Sequence, residues 1–88
     1  MTYEQVTELV MAEIERAKTK WPGWPLDPVH AAAVVAEESG ELVQAAMRYY
    51  YEDGAVDPMV TEALHTAATA IRFIADTGRG YLTRGGSE

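Results

Sequence analysis

The sequence contains no cysteine, which removes disulfides and thiolate-bound zinc as sources of stability and leaves self-association or a bound ion to supplement a small core. A reducing cytoplasm is the compartment this composition fits. No apolar run approaches the roughly 20 residues of a membrane span, and the opening Met1-Thr2-Tyr3-Glu4-Gln5 lacks the basic stretch and apolar run of an export signal. The expectation is a cytoplasmic protein with no membrane partner. Basic residues are scarce, 7 against 14 acidic ones for a formal charge of −7. Such a surface repels polyanions and provides no long basic stripe, so no nucleic acid polymer is expected as a partner. A small phosphate-bearing ligand stays open, because a metal ion can bridge its oxygens to protein carboxylates.

What remains is a short chain of 88 residues, one domain at most, able to bury only about 60% of the surface its unfolded form exposes. Local punctuation predicts three helices. Thr2 followed by Gln5 matches a capping box, after which Tyr3, Val6, Leu9, Val10, Ile14 and Ala17 recur at helical spacing as far as Lys20. Trp21-Pro22-Gly23-Trp24-Pro25 cannot continue that helix, since proline lacks an amide donor and clashes with the preceding turn. Asp27-Pro28 and Asp57-Pro58 repeat one signal, a capping aspartate and a proline preset for the first helical position. These predict a second helix over 28–53, stopped at Gly54, and a third over 58–77, stopped at Gly78. The short link between them predicts an antiparallel hairpin. The fold expected is all-α, a single domain over 1–79 in which the N-terminal helix joins the hairpin, with oligomerisation completing a four-helix bundle and 80–88 as a frayed tail.

The helical pattern breaks at one place. On a wheel, Ala31, Val34, Val35, Leu42, Ala45 and Tyr49 gather into one apolar arc of the second helix. Glu38 falls inside the arc, Glu41 on the same side and Glu37 at its edge. The third helix carries Glu62 and His65 one turn apart on one face. If Glu38, Glu41 and Glu62 meet at about 6 Å, each pair repels by roughly 3 kcal/mol at an effective dielectric near 20. Three such pairs rival the roughly 5–15 kcal/mol that holds a typical domain together. Protons or a cation must intervene, and oxygen ligands without thiolates favour a hard ion such as Mg²⁺ or Mn²⁺.

A solvated face is the competing reading. Opposite the third helix's apolar stripe of Val60, Ala63, Leu64, Ala67, Ile71 and Ile74 stand Glu62, His65, Thr69, Arg72 and Asp76. By periodicity alone that second face is simply wet, and the expectation is that only another subunit could cover it.

The run Val35-Ala36-Glu37-Glu38-Ser39-Gly40-Glu41-Leu42, followed after about twenty residues by Glu62-Ala63-Leu64-His65, resembles the MazG-like all-α nucleoside triphosphate pyrophosphohydrolases. Their signature is Glu-Glu-x-x-Glu, a gap, then Glu-x-x-Asp, and the likeness covers about half of the chain. The resemblance implies a hydrolase that cuts a nucleoside triphosphate between its α and β phosphates, leaving a monophosphate and pyrophosphate. It further implies Mg²⁺ or Mn²⁺ as cofactor and a homodimer or homotetramer built on four-helix bundles. Carried onto this chain, Glu38, Glu41 and Glu62 would be metal ligands, and Glu37 would support the attacking water beside Glu38 and Glu41. His65 stands where the signature has aspartate. Imidazole suits Mn²⁺ better than Mg²⁺, so His65 either ligates a softer ion, contacts phosphate or water, or marks reduced activity.

Further candidates surround this constellation. Arg72 and Lys18 are candidates for phosphate oxygens, whereas Arg48 reads as a surface ion-pair partner and Lys18 and Lys20 also oppose the first helix's dipole. Trp21 and Trp24 could stack on a nucleobase or plug the open end of the hairpin. Glu13 lies within the first helix's apolar stripe and is expected to snorkel outward, and His30 reads as a structural histidine. Gly40 within a helix suggests the close approach of another backbone or a ligand. Two other functions compete. Glu62-x-x-His65 also matches a carboxylate-bridged di-metal bundle, which would need a second copy to supply the second motif, and a non-catalytic helical interaction module with the same fold would explain His65.

Overall fold

The computed structural model of the protein describes residues 1–81, and over that span it is all-helical, with no strand. Helix α1 spans Tyr3–Lys20, α2 Pro28–Tyr51 and α3 Val56–Arg72, the last running on into a π-helical turn at Phe73–Thr77.

Local chemistry sets most of the boundaries. Thr2 accepts the Gln5 amide through its hydroxyl while the Gln5 side chain accepts the Thr2 amide, closing the capping box that opens α1. Asp27 accepts the Val29 amide at 3.0 Å and Pro28 occupies the first turn of α2. That helix ends two residues earlier than expected. Asp53 takes a positive φ of 54°, and the Glu52 and Gly54 amides both donate to the Arg48 carbonyl. Gly54 comes so near that carbonyl that a Cβ there would sit 3.1 Å from its oxygen.

The second Asp-Pro pair behaves differently from the first. Ala55, not Asp57, is the N-cap of α3 and provides no side-chain hydrogen bond. Asp57 and Pro58 lie inside the first turn, where proline's missing donor costs nothing because those amides have no helical acceptor. Asp57 there still meets the positive end of the helix dipole. At the other end the chain makes a turn, the Tyr81 amide donating to the Gly78 carbonyl. The rest of the expected tail, 82–88, lies outside the described residues.

Helix α3 is the centre of the molecule. It packs against α2 along its length and against α1, while α1 and α2 flank it without packing on each other. Shared clefts pair Arg48 with Pro58 and Ala32 with Ile74, so α2 and α3 are antiparallel. Val10 and Ile14 of α1 bury against Ala68 of α3, with Val6, Leu64 and Ala67 around them. This corrects the expectation for α3. Its polar face is covered within one chain, by α1 and the Trp24 loop, and Arg72 becomes buried while Ile71 and Ile74 of the apolar stripe are exposed. No helix among the described residues is long and apolar enough to cross a membrane.

Candidate metal centre

Because α1 and α2 do not pack on each other, a channel about 270 Å³ in volume opens between them with α3 as its floor. Glu13, Arg16 and Trp21 line one wall, Glu38 and Glu41 the other, and Glu62, His65, Thr69 and Arg72 the floor. One helix turn separates Glu38 from Glu41, Glu62 from His65, and His65 from Thr69, so consecutive side chains on each element project to the same side.

Ligand-type atoms of Glu38, Glu62 and His65 lie within 4.8 Å of one another. His65 Nδ1 is 3.3 Å from Glu62 Oε1 and 3.5 Å from Glu38 Oε2. Its Nε2 faces the opposite way, 3.4 Å from Glu13 Oε2. Glu13 is itself clamped by Arg16, whose Nε and Nη2 donate at 2.9 and 2.6 Å. Glu13 therefore belongs to the site and does not snorkel outward.

Two of the three carboxylates on His65, Glu38 and Glu13, are shifted in opposite directions. Burial pushes the Glu38 carboxyl above its ordinary range, and Glu41, Glu62 and Glu37 add to the rise while His65 opposes it. Glu13 is held below the ordinary range, first by its hydrogen bonds from Arg16 and then by the charges of His65 and Arg16, against the penalty of its own burial. Glu38 Oε2 is buried and accepts no hydrogen bond among the described residues. A buried acceptor without a donor is costly, and a cation in front of it removes the cost.

Arg72 occupies the far end of the floor. Its side chain is 8% exposed, its Nε has no hydrogen-bond partner among the described residues, and Asp76 stands 4.0 Å away. Trp24 holds it from one side, with the guanidinium carbon 4.9 Å from the ring centre. The Trp24 indole donates in turn to Thr77 Oγ1 at 2.9 Å. Trp24 is thus committed to the loop and to Arg72. Trp21 is 62% exposed along the channel wall, with Lys20 Nζ 5.5 Å from the centre of its ring. Plugging the hairpin's end falls to Trp24 alone.

The other sequence candidates distribute around this arrangement. Glu41 lines the channel rim and a neighbouring cleft with Gln44, Arg48 and Glu62, outside the tight group of three. Glu37 is exposed and acts on Glu38 through its charge. Lys18 lies with Arg72, Arg79, Trp24 and Asp76 around a second cleft that shares Arg72 with the channel. His30 is exposed at the start of α2, away from the acids. Among the described residues nothing outside the helix's own neighbouring backbone approaches the Gly40 Cβ position within 4 Å. Comparison with protein-family models, with curated proteins and with solved structures gave no match.

Proposed function

We propose that the protein is a metal-dependent nucleoside triphosphate pyrophosphohydrolase of the MazG-like kind, working as a homodimer or homotetramer in which paired hairpins make up four-helix bundles. One observation carries this reading: Glu38, Glu62 and His65 converge within 4.8 Å around a buried carboxylate oxygen that accepts no hydrogen bond. The donor set fits a divalent ion of the Mg²⁺ or Mn²⁺ class, and the imidazole tilts the preference towards Mn²⁺. Bound there, such an ion would acidify water and offset charge on the phosphate oxygens.

The chain's own residues account for the rest. Glu38 and Glu62 supply anionic oxygens from two helices, and Glu41 at the rim adds a third on the substrate side. Glu37, exposed next to Glu38 in the chain, would be the group that accepts a proton from attacking water. Arg72, at the opposite end of the same channel, presents a guanidinium for phosphate oxygens, and Trp21 offers an exposed aromatic face for a base. A metal-binding end and a cationic end joined by one channel suit a ligand with several phosphates in a row.

The decisive experiment incubates the purified protein with a panel of nucleoside triphosphates and Mg²⁺ or Mn²⁺ and measures pyrophosphate. Release of pyrophosphate that disappears in Glu38→Gln, with the helical signal kept, is the expected result; orthophosphate alone, or no release from any nucleotide, defeats the reading.

A second reading rests on the same histidine. An imidazolium at His65 would face Glu13 with one nitrogen and Glu38 and Glu62 with the other, acting as a built-in counter-ion for a non-catalytic helical module. Metal then has no place to add stability. Melting in the presence of millimolar Mn²⁺ separates the two: the hydrolase reading requires a rise in Tm, by about 2.7 kcal/mol of stabilisation at a hundred times the Kd, and the module reading requires none.

A further inference from the structure

Helix α2 carries a second apolar seam that the three-helix unit leaves uncovered. Ala33, Ala36, Gly40, Val43, Met47 and Tyr50 follow one another at intervals of three and four, all are exposed, and none is charged. Their spacing is the heptad repeat by which one helix faces another. The seam is graded in size. Its N-terminal half is alanine and glycine, and its C-terminal half holds Val43, Met47 at 52% exposure and Tyr50 at 77%.

Beside the small half lies an open apolar hollow of about 370 Å³, lined by Ala32, Val35, Ala36, Ala70, Phe73 and Ile74. Ile74 on its rim is 68% exposed. One helix therefore presents both a hollow and, further along the same seam, exposed side chains large enough to fill one.

From this we infer that the outer face of α2 seats the α2 of a second copy of the chain, antiparallel, with Gly40 near the two-fold axis. An antiparallel pair centred there sets residue 47 level with residue 33 of the other copy, so each Met47, with Tyr50 beyond it, enters the other's hollow. The contact is self-complementary, as a two-fold interface must be. A parallel pair would set large against large and alanine against alanine, leaving both hollows empty.

Charge selects the same direction. Glu37 lies towards the N-terminal half of α2 and Gln44 and Arg48 towards the C-terminal half, all along one edge of the seam. An antiparallel pair brings Glu37 beside Gln44 of the other copy and within reach of Arg48, whereas a parallel pair sets this edge against the opposite, uncharged edge that carries Ala32, Ser39 and Ala46. The face is also large enough. At about 1.5 Å per residue α2 is roughly 36 Å long, and with the adjoining edge of α3 the patch is about two helix diameters wide, close to the roughly 800 Å² per partner that a stable interface buries. Gly40, whose Cβ position is open among the described residues, lets the two backbones approach at the axis.

This inference names the face and register of the self-association in the proposed function and is independent of its chemistry, so the pyrophosphate assay and the experiment here fail separately. Sedimentation across a range of concentrations should show the intact chain as a dimer or a dimer of dimers, and Met47→Glu should weaken that association at least 100-fold. Met47 is already exposed in the single chain, so the variant should keep its helical signal. Because the protein has no cysteine, register can be read by oxidation: Gly40→Cys alone should cross-link to itself, and a mixture of Ala33→Cys and Met47→Cys should give the mixed disulfide. A monomer at every concentration, an association indifferent to Met47→Glu, or a Met47→Cys homodisulfide in place of the mixed one would each overturn the proposal. The Gly40→Cys cross-link decides the matter should the charged variant fail to fold.

Discussion

Glu13 Oε2 and His65 Nε2 lie 3.4 Å apart, and through that contact α1, which does not pack on α2, becomes part of the site that α2 and α3 form. His65 Nδ1 is hydrogen-bonded to Glu62 Oε1 at 3.3 Å while Nε2 faces Glu13; a cation bound beside Glu38 and Glu62 would take the Nδ1 lone pair and leave the Nε2–H turned to Glu13. Arg16 completes the chain of contacts by fixing both oxygens of Glu13.

Removing that support should loosen metal before it loosens the fold. Glu13→Gln is expected to lower Mn²⁺ affinity by about 10–100-fold, the usual cost of losing a residue that orients a metal-binding histidine. Calorimetric titration of Mn²⁺ into the variant checks this. Affinity equal to that of the unaltered chain would mean that Glu13 plays no part in orienting the ring.

The acids should also write themselves into the pH dependence of stability. Glu38 binds its proton more tightly folded than unfolded, since burial, then the neighbouring glutamates, raise its pKa. Its contribution is therefore greatest at low pH and is lost as pH climbs from the unfolded value through the raised folded one. Glu13 has the opposite sign: its pKa is lowered by Arg16, so its contribution is present above the unfolded value and fades as pH falls through the folded one. In the absence of metal, Glu38→Gln should raise Tm at neutral pH and flatten the profile over the window, above the ordinary carboxylate range, in which the buried Glu38 loses its proton. A Tm that drops in Glu38→Gln at neutral pH contradicts the assignment of strain to that carboxylate.

The two tryptophans separate cleanly. Trp24 is half-buried, holds the Arg72 guanidinium and donates to Thr77, so Trp24→Ala should cost roughly 2–4 kcal/mol of stability. Exposed Trp21 should be nearly neutral in denaturant titrations, within about 0.5 kcal/mol. Trp21→Ala should instead raise the KM for a nucleoside triphosphate by about ten-fold or more, from the ~1–3 kcal/mol that a base stack contributes. Equal loss of stability in both variants would show that they share one structural task.

How much of this was legible in the sequence depended on range. The Thr2–Gln5 box and the Asp27–Pro28 start are written in adjacent residues, and both helices begin there. Asp57–Pro58 carries the same letters, yet the helix starts at Val56, because a first turn tolerates proline at more than one position and the two-residue motif does not say which. The acids on α2 stood out because they broke an apolar arc. Glu13 did not stand out, since a glutamate at a stripe's edge snorkels outward or turns inward according to which helix docks beside it, and no local pattern records that. The polar face of α3 was illegible for the same reason: periodicity shows that Arg72 and His65 share a face but not that α1 and Trp24 cover it.

Arg72 is where that long-range burial has its sharpest consequence. A guanidinium at 8% exposure with an unpartnered Nε and its carboxylate 4.0 Å away is held in place at a cost, since a desolvated charge without good hydrogen bonds weakens a fold. Replacing it with an apolar side chain of similar length should therefore leave Tm unchanged or raise it. Arg72→Met should at the same time lose the binding of triphosphate, with KM up by at least ten-fold and inorganic pyrophosphate no longer competing for the site. Thermal melting and inhibition by pyrophosphate, measured on the same preparation, test both halves. A variant that melts several degrees lower while retaining its affinity for pyrophosphate would make Arg72 a structural cation and nothing more.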